Sequence, residues 1–228
     1  MMNAWVQKYS SVVRMEWIRA LEYKANTFVG TFSIFSGVLI EYVLWKQIFA
    51  VRGVSEINGF TFEALIVYIF FAMMVGQLKS SWVVSIDMID SIRLGELNKF
   101  LIRPISFYTY HLSVFLGFNS LFFFTYMSLC LIFPFVLPGF AFPSIINLLG
   151  FWMFLIFSIY ISFGMYFIMI CGAFWFGEVR ALVIAYNLAN LVFSGQMIPI
   201  RMFPEWLINI LQFTPLPLLV DLPVSVAL

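Results

Sequence analysis

Asp90, Arg93, Glu96, Lys99 and Arg103 crowd into the stretch Ile89–Ser106 of a chain in which 10% of residues are charged. Side chains of these types do ionic recognition rather than bond-making chemistry. Leu94, Leu97 and Leu101 fall at i, i+3 and i+7, one narrow apolar stripe, with Arg93, Glu96, Lys99 and Arg103 broadly opposite. Glu96 can then pair with Arg93 or Lys99. Gly95 near the start and Arg103-Pro104 at the end bracket a helix of about two turns, because proline disfavours helix in the residue before it. An amphipathic helix of this kind is either a solvated connector resting on lipid headgroups or a docking helix for a protein partner.

Other candidates for chemistry are few. Glu41 lies about fifteen residues into an apolar run, which at 1.5 Å per residue is roughly 22 Å deep. Carboxylates inside a membrane are costly and often functional, although snorkelling to the far headgroups accounts for this one more simply. Asn187 and Asn190, with Ser194, share a face at i, i+3 and i+7. They either line a path or hydrogen-bond between helices. The lone histidine, His111, has no carboxylate or cysteine at ligand spacing and reads as interfacial. Cys130 and Cys171 lie in apolar segments and read as small apolar residues. No metal site or resident cofactor is expected. Membrane-embedded catalysis needs a cluster of His, Asp or Glu at one depth, or a nucleophile beside its base, and neither pattern occurs.

The elements that position these residues follow from composition. Hydrophobic residues make up 63% and aromatics 20% of the 228 residues, with a mean hydropathy of +1.01. Soluble domains hold about 45–50% apolar and roughly 25% charged residues, so the solvent of this chain is lipid. The expected fold class is an all-α integral membrane protein, a helical bundle with five spans at Asn26–Phe49, Phe62–Val84, Phe107–Phe133, Ile145–Gly172 and Ala181–Ile198. The segments do not alternate, which excludes a β-barrel. A net charge of +1 without a basic patch gives no reason to expect nucleic acid.

The first 24 residues put Trp5, Tyr9, Val12, Val13, Ala20 and Leu21 on one face, with Glu16 as an exception, and suggest a helix lying in the membrane interface. Lys and Arg favour one side: Lys8, Arg14, Arg19, Lys24, Lys79, Arg93, Lys99, Arg103 and Arg180 face Lys46, Arg52 and Arg201 across the membrane. This asymmetry places the N-terminus and the charged stretch in the cytoplasm. After the fifth span, Gly195, Pro199 and Pro204 break the helix. It resumes with Trp206, Leu207, Ile210 and Leu211 as a segment too short to cross. The closing "FTPLPLLVDLPVSVAL" is apolar, proline-broken and too short for a sixth span, and reads as the start of a further helix.

"RALEYKANTF" (Arg19–Phe28), "IRLGELNKFLIRPIS" (Ile92–Ser106) and "SGQMIPIRMFPEWL" (Ser194–Leu207) together resemble permeases of type-2 ATP-binding cassette exporters, most of all the daunorubicin-resistance-like branch. The resemblance is carried chiefly by Gly95, Leu97, Leu101 and Pro104. It implies six spans, one more than this chain supplies, in a single permease domain incomplete at its C-terminus. It implies that the charged stretch is the coupling helix, seated in a groove on a separate ATPase subunit. Leu97 and Leu101 would be its anchors, and Arg93, Glu96, Lys99 and Arg103 would set register. It further implies a re-entrant external helix around Gly195, Pro199, Pro204 and Trp206, a second permease copy or paralogue, a bacterial inner-membrane location, and ATP and Mg held by the partner. No G-x-x-x-x-G-K-[ST] phosphate loop occurs in this chain. A secondary transporter or channel is the rival reading; it calls for charged pairs or broken helices near mid-membrane.

Overall fold

The computed structural model describes residues 2–22, 24–136 and 144–228. Helix α1 (Met2–Glu22) and the long α2 (Lys24–Arg52) lead to a hairpin of β1 (Glu56–Ile57) and β2 (Phe60–Thr61). Asn58 and Gly59 turn the hairpin, both at positive φ, as a two-residue turn with right-handed twist requires. The Thr61 side chain then accepts from the Ala64 amide and caps α3 (Phe62–Lys79). Next come α4 (Trp82–Arg93), the single turn α5 (Asn98–Leu101), α6 (Phe107–Val136), α7 (Ile145–Cys171), α8 (Ala173–Phe176) and α9 (Arg180–Phe193). A 3-10 turn at Ile200–Met202 precedes α10 (Glu205–Leu211), α11 (Leu216–Leu219) and α12 (Asp221–Ala227). The proline- and glycine-rich stretch 137–143 lies outside the described residues.

Among the described residues, four segments are long and apolar enough to cross a membrane: Phe28–Arg52, Phe62–Arg93, Phe107–Cys130 and Ile145–Phe176. The second and fourth have 32 residues each, against the roughly 20 that a bilayer core requires. They therefore project beyond it. Of the five spans expected, the last is a helix of 14 residues, roughly 21 Å long and short of a crossing.

α3 is apolar on all sides and is correspondingly buried all round. It forms the axis of one apolar core with α2, α6, α7 and the C-terminal helices. A second core lies around α4, between the first half of α6, the end of α7, α8 and α9. The two cores meet at the break Ser80–Ser81. By contrast α2 exposes Phe28, Phe32, Leu39 and Ile40 along its length, a lipid-compatible face.

α1 departs from the expected in-plane helix. Its contacts with α6 climb together: Lys8 Nζ donates to the Pro104 carbonyl, the Ser106 amide to the Tyr9 hydroxyl, and Trp17 Nε1 to Ser120 Oγ. α1 thus stands alongside the first half of α6. The reason is Gly117, where a Cβ would come within 2.9 Å of Glu16 Cβ and 3.1 Å of the Val13 carbonyl. Only glycine admits that approach. Glu16, the exception in the apolar pattern, is pressed against α6, and this burial pushes its carboxyl above the usual carboxylate range. The side chain of Trp5 lies outside the described residues.

At the hairpin end, α9 stops at Phe193 rather than continuing to Ile198. Gly195 takes φ 88 there, and a Cβ would meet the Tyr68 hydroxyl at 2.7 Å. The Tyr68 hydroxyl lies 2.9 Å from the Gly195 carbonyl and 2.7 Å from Asp221 Oδ1. Asp221 Oδ1 also accepts from the Ile200 amide at 3.2 Å, while the Asp221 amide donates to the Ser194 carbonyl at 3.0 Å. One carboxylate thus ties α3, the end of α9, the 3-10 turn and α12 together. Replacing it with Asp221→Ala is expected to lower stability by about 3 kcal/mol, because two donors lose a charged acceptor. Asp221→Asn, which retains an acceptor, should lose less than half of that. Thermal unfolding of the detergent-purified variants measures both.

Candidate functional site

The break after Lys79 needs a cause and a remedy. Gln77, Lys79, Ser80 and Ser81 fall within five positions of the second span, and serines compete for backbone partners. Non-helical backbone at membrane depth is tolerated only where protein or water satisfies it. Here protein does so. Ser162 Oγ on α7 donates to the Lys79 carbonyl at 2.9 Å, Ser85 Oγ donates to the Ser81 carbonyl at 2.7 Å, and the Ser80 amide bonds the Gln77 carbonyl at 3.2 Å.

Lys79 itself is 3% exposed. The sequence pattern makes it a flanking charge, but its side chain turns into the protein. Its Nζ donates to Asn190 Oδ1 at 2.7 Å. Asn187, one turn earlier on α9, accepts from the Tyr166 hydroxyl and donates to the Val183 carbonyl at 2.9 Å. These groups border a cavity of about 520 Å³. Gly30, Ser33, Ile34 and Gly37 of α2 form one wall, Met73, Gly76, Gln77, Lys79 and Ser80 a second, and α9 with Tyr166 and Gln196 the rest. Glycines set how closely the walls approach. A Cβ at Gly76 would collide with the Gln196 side-chain amide, and one at Gly30 would come within 2.9 Å of Phe122.

Of the pathway residues expected from sequence, Asn187 and Asn190 border this cavity. Ser194 and Glu41 do not. Ser194 Oγ is buried without a hydrogen-bond partner among the described residues. Glu41 does not snorkel: it is buried at 9% exposure and accepts from Trp45 Nε1 at 3.0 Å, one turn away. Sequence reasoning misses Lys79, Tyr166, Gln77 and Gln196. The signal for Lys79 is its polar company at Gln77–Ser81, which reads equally well as the end of a span. Gln196 carries none, because its approach depends on Gly76 in another helix.

The charged stretch also differs from the two-turn helix expected. Gly95 ends α4 rather than opening a helix. It takes φ 71, the Glu96 amide reaches back to the Ser91 carbonyl at 2.9 Å and the Gly95 amide to Ile92 at 3.2 Å. That is the Schellman pattern of a glycine-terminated helix. Leu94, Leu97 and Leu101 therefore do not share one helix. Leu97 is half-buried, and Leu101 and Ile102 are 81% and 82% exposed.

The charges divide between two tasks. Lys99 pairs with Glu96 at 2.8 Å, within the stretch. Arg93 pairs with Glu178 and Arg180 with Asp90, joining the end of α4 to the start of α9. Arg103 and Pro104 are exposed. His111 is buried within the chain at 5% exposure. Its ring lies 4.5 Å from that of Phe107 and 5.9 Å from that of Phe100, so an aromatic cluster fixes α5 to the foot of α6.

In the break segment after α9, Pro199 is buried and precedes the 3-10 turn, and Pro204 caps α10. Trp206 is 63% exposed.

No curated protein matches the chain. A family model described as ABC-2 family transporter protein matches residues 35–228, which takes in most of the first long apolar helix and all of the other three, the cavity wall apart from Gly30, Ser33 and Ile34, the charged stretch and the C-terminal helices. That family is a membrane transport component associated with ATP-binding cassette ATPase subunits, and is not itself the catalyst. A multi-pass helical protein matched by that model over most of its length belongs to the ABC-2 family of transporter proteins.

Proposed function

We propose that the chain is the transmembrane subunit of an ATP-driven exporter of the daunorubicin-resistance-like branch. It docks a separate ATPase through the end of α4, the Gly95 turn and α5. The observation that carries this reading is the overshoot of the second span. α4 adds 12 residues beyond the break, which holds Leu94–Pro104 roughly 18 Å past Lys79. A connector resting on headgroups would not need that arm. At its tip, Leu101 and Ile102 face outward and offer apolar anchors, ringed by Glu96, Lys99 and Arg103. Arg93 is engaged by Glu178 and serves the frame of the subunit instead. ATP and Mg belong to the partner.

The cavity beside α2 and α9 is one half of a pathway, completed by a second copy or a paralogue packed at the exposed face of α2. The Gly195–Trp206 segment closes the far end as a re-entrant element. The N-terminus and the charged stretch lie in the cytoplasm of a bacterial cell, with the spans in its inner membrane. The broken second span also suits a secondary transporter or channel. Against that reading, the broken backbone is satisfied by Ser162 and Ser85 rather than left open to an ion.

Two measurements test this. The double substitution Leu101→Asp and Ile102→Asp should reduce the ATPase that co-purifies with the chain at least tenfold at equal expression, because a buried charge without a partner costs several kcal/mol. Glu96→Gln should change it little, since rim charges act mainly on association rate. Undiminished co-purification of the double variant would sink the docking assignment. Separately, cysteines placed at Ser91 and Ser55 should label from opposite sides of sealed cells, Ser91 from the inside. Labelling of both from outside overturns the orientation.

A further inference from the structure

The lining of the cavity carries a charge imbalance. Lys79 is its one ionisable cation, and none of the lining residues is acidic. Among the described residues the ion pairs belong to Arg19, Arg93, Lys99 and Arg180, so Lys79 has no carboxylate within salt-bridge distance. An ammonium carries three donors, and this one meets a single acceptor, Asn190 Oδ1. Burying an ammonium without a negative partner is expensive. A chain that only needed to fill this position would do better with methionine.

Other residues with side-chain donors line the same space, among them Gln77, Gln196 and Ser80. The apolar part of the wall is Ile34, Met73, Leu188 and Leu191. Leu188 is 61% exposed, so the cavity opens sideways between α2 and α9, toward lipid. Its depth fits that opening. Lys79 closes a helix of 18 residues, roughly 26 Å from the start of α3, close to the far edge of a hydrocarbon layer about 30 Å thick. The volume of about 520 Å³ falls within the range of roughly 300–1,000 Å³ usual for small-molecule sites.

We propose that this cavity is an anion site, in which Lys79 receives the phosphate or carboxylate of an amphiphile whose hydrocarbon body lies in the opening between α2 and α9. Taking that amphiphile to be the transported substrate rests on the exporter reading above; the binding itself does not. A cationic amphiphile of the same length meets a like charge in a desolvated space, and a neutral one gains no pairing.

The test uses the full chain in nanodiscs of zwitterionic phosphatidylcholine, titrated with dodecyl phosphate and, in parallel, with dodecyltrimethylammonium, and read by native mass spectrometry. The wild-type chain should bind the phosphate at least tenfold more tightly than the ammonium. Lys79→Met should lose at least tenfold in phosphate affinity, and Lys79→Arg should retain most of it. Equal affinity for the two probes, or undiminished phosphate binding by Lys79→Met, overturns the proposal and leaves Lys79 a structural lysine held by Asn190. If Lys79→Met fails to fold, the comparison of the two probes on the wild-type chain decides alone. Competition from phosphatidylglycerol in the disc would assign the anion to a lipid headgroup, and lack of competition to a free amphiphile; either result supports the site. None of these readings requires the ATPase, so failure here and failure of the docking assignment are separable.

Discussion

A backbone polar group in hydrocarbon has no water to fall back on, and this constraint governs how the second span can be broken. The Lys79 carbonyl is released at the break and finds the Ser162 hydroxyl on α7, while the Ser81 carbonyl opens the α4 ladder by accepting the Ser85 amide and takes the Ser85 hydroxyl as well. Those bonds fix where α7 runs against α3 and how α4 continues. The lysine side chain then has to be accommodated at the same level, which brings α9 in through Asn190. Two apolar cores, one on each side of the break, become possible only once this polar layer is complete.

The same economy appears at both ends of the bundle. Asp221 gathers the Tyr68 hydroxyl and the Ile200 amide while its own amide caps Ser194. The carbonyl of Ser194, the residue that ends α9, thereby has a donor inside the protein. At the opposite end, Gly95 stops α4 through its left-handed backbone, and Phe100, Phe107 and His111 anchor α5 beyond it. Turns in this protein are made by groups that satisfy or exempt the backbone. Apolar packing then fills in around them.

Sequence is most legible where a single element answers to a single property. Lipid as the solvent, helices as the class and four of the spans come from runs of apolar residues that no other solvent would accept. The interruption at Gly195–Pro204 is legible because glycine and proline act locally. The features that escape depend on a partner elsewhere. Glu41 reads as a snorkelling acid because nothing in its run reveals that Trp45 turns back to it. Lys79 reads as a flanking charge because Asn190 and Ser162 are 111 and 83 residues away. Gly95 reads as the start of a helix because its neighbours have helical spacing, whereas the sign of its φ decides otherwise. His111 lacks ligand companions and so reads as interfacial, yet the rings of Phe100, Phe107 and Tyr110 pack around it.

Lys79 ends α3 and Asp90 lies near the end of α4, eleven positions apart across the break, and Arg180 and Asn190 lie ten positions apart on α9. Lys79 meets Asn190 and Asp90 meets Arg180. The two segments are thus of similar length and pinned at both ends, which makes a closed frame rather than a pair of independent helices. Neither segment can slide far along the other without opening a pin. The pins differ in kind: the Asp90–Arg180 pair is partly exposed, so added salt weakens it, whereas the Lys79–Asn190 bond is sheltered from ions in solution. Ionic strength therefore slackens the frame from one corner only, and its rigid corner is the one that borders the cavity.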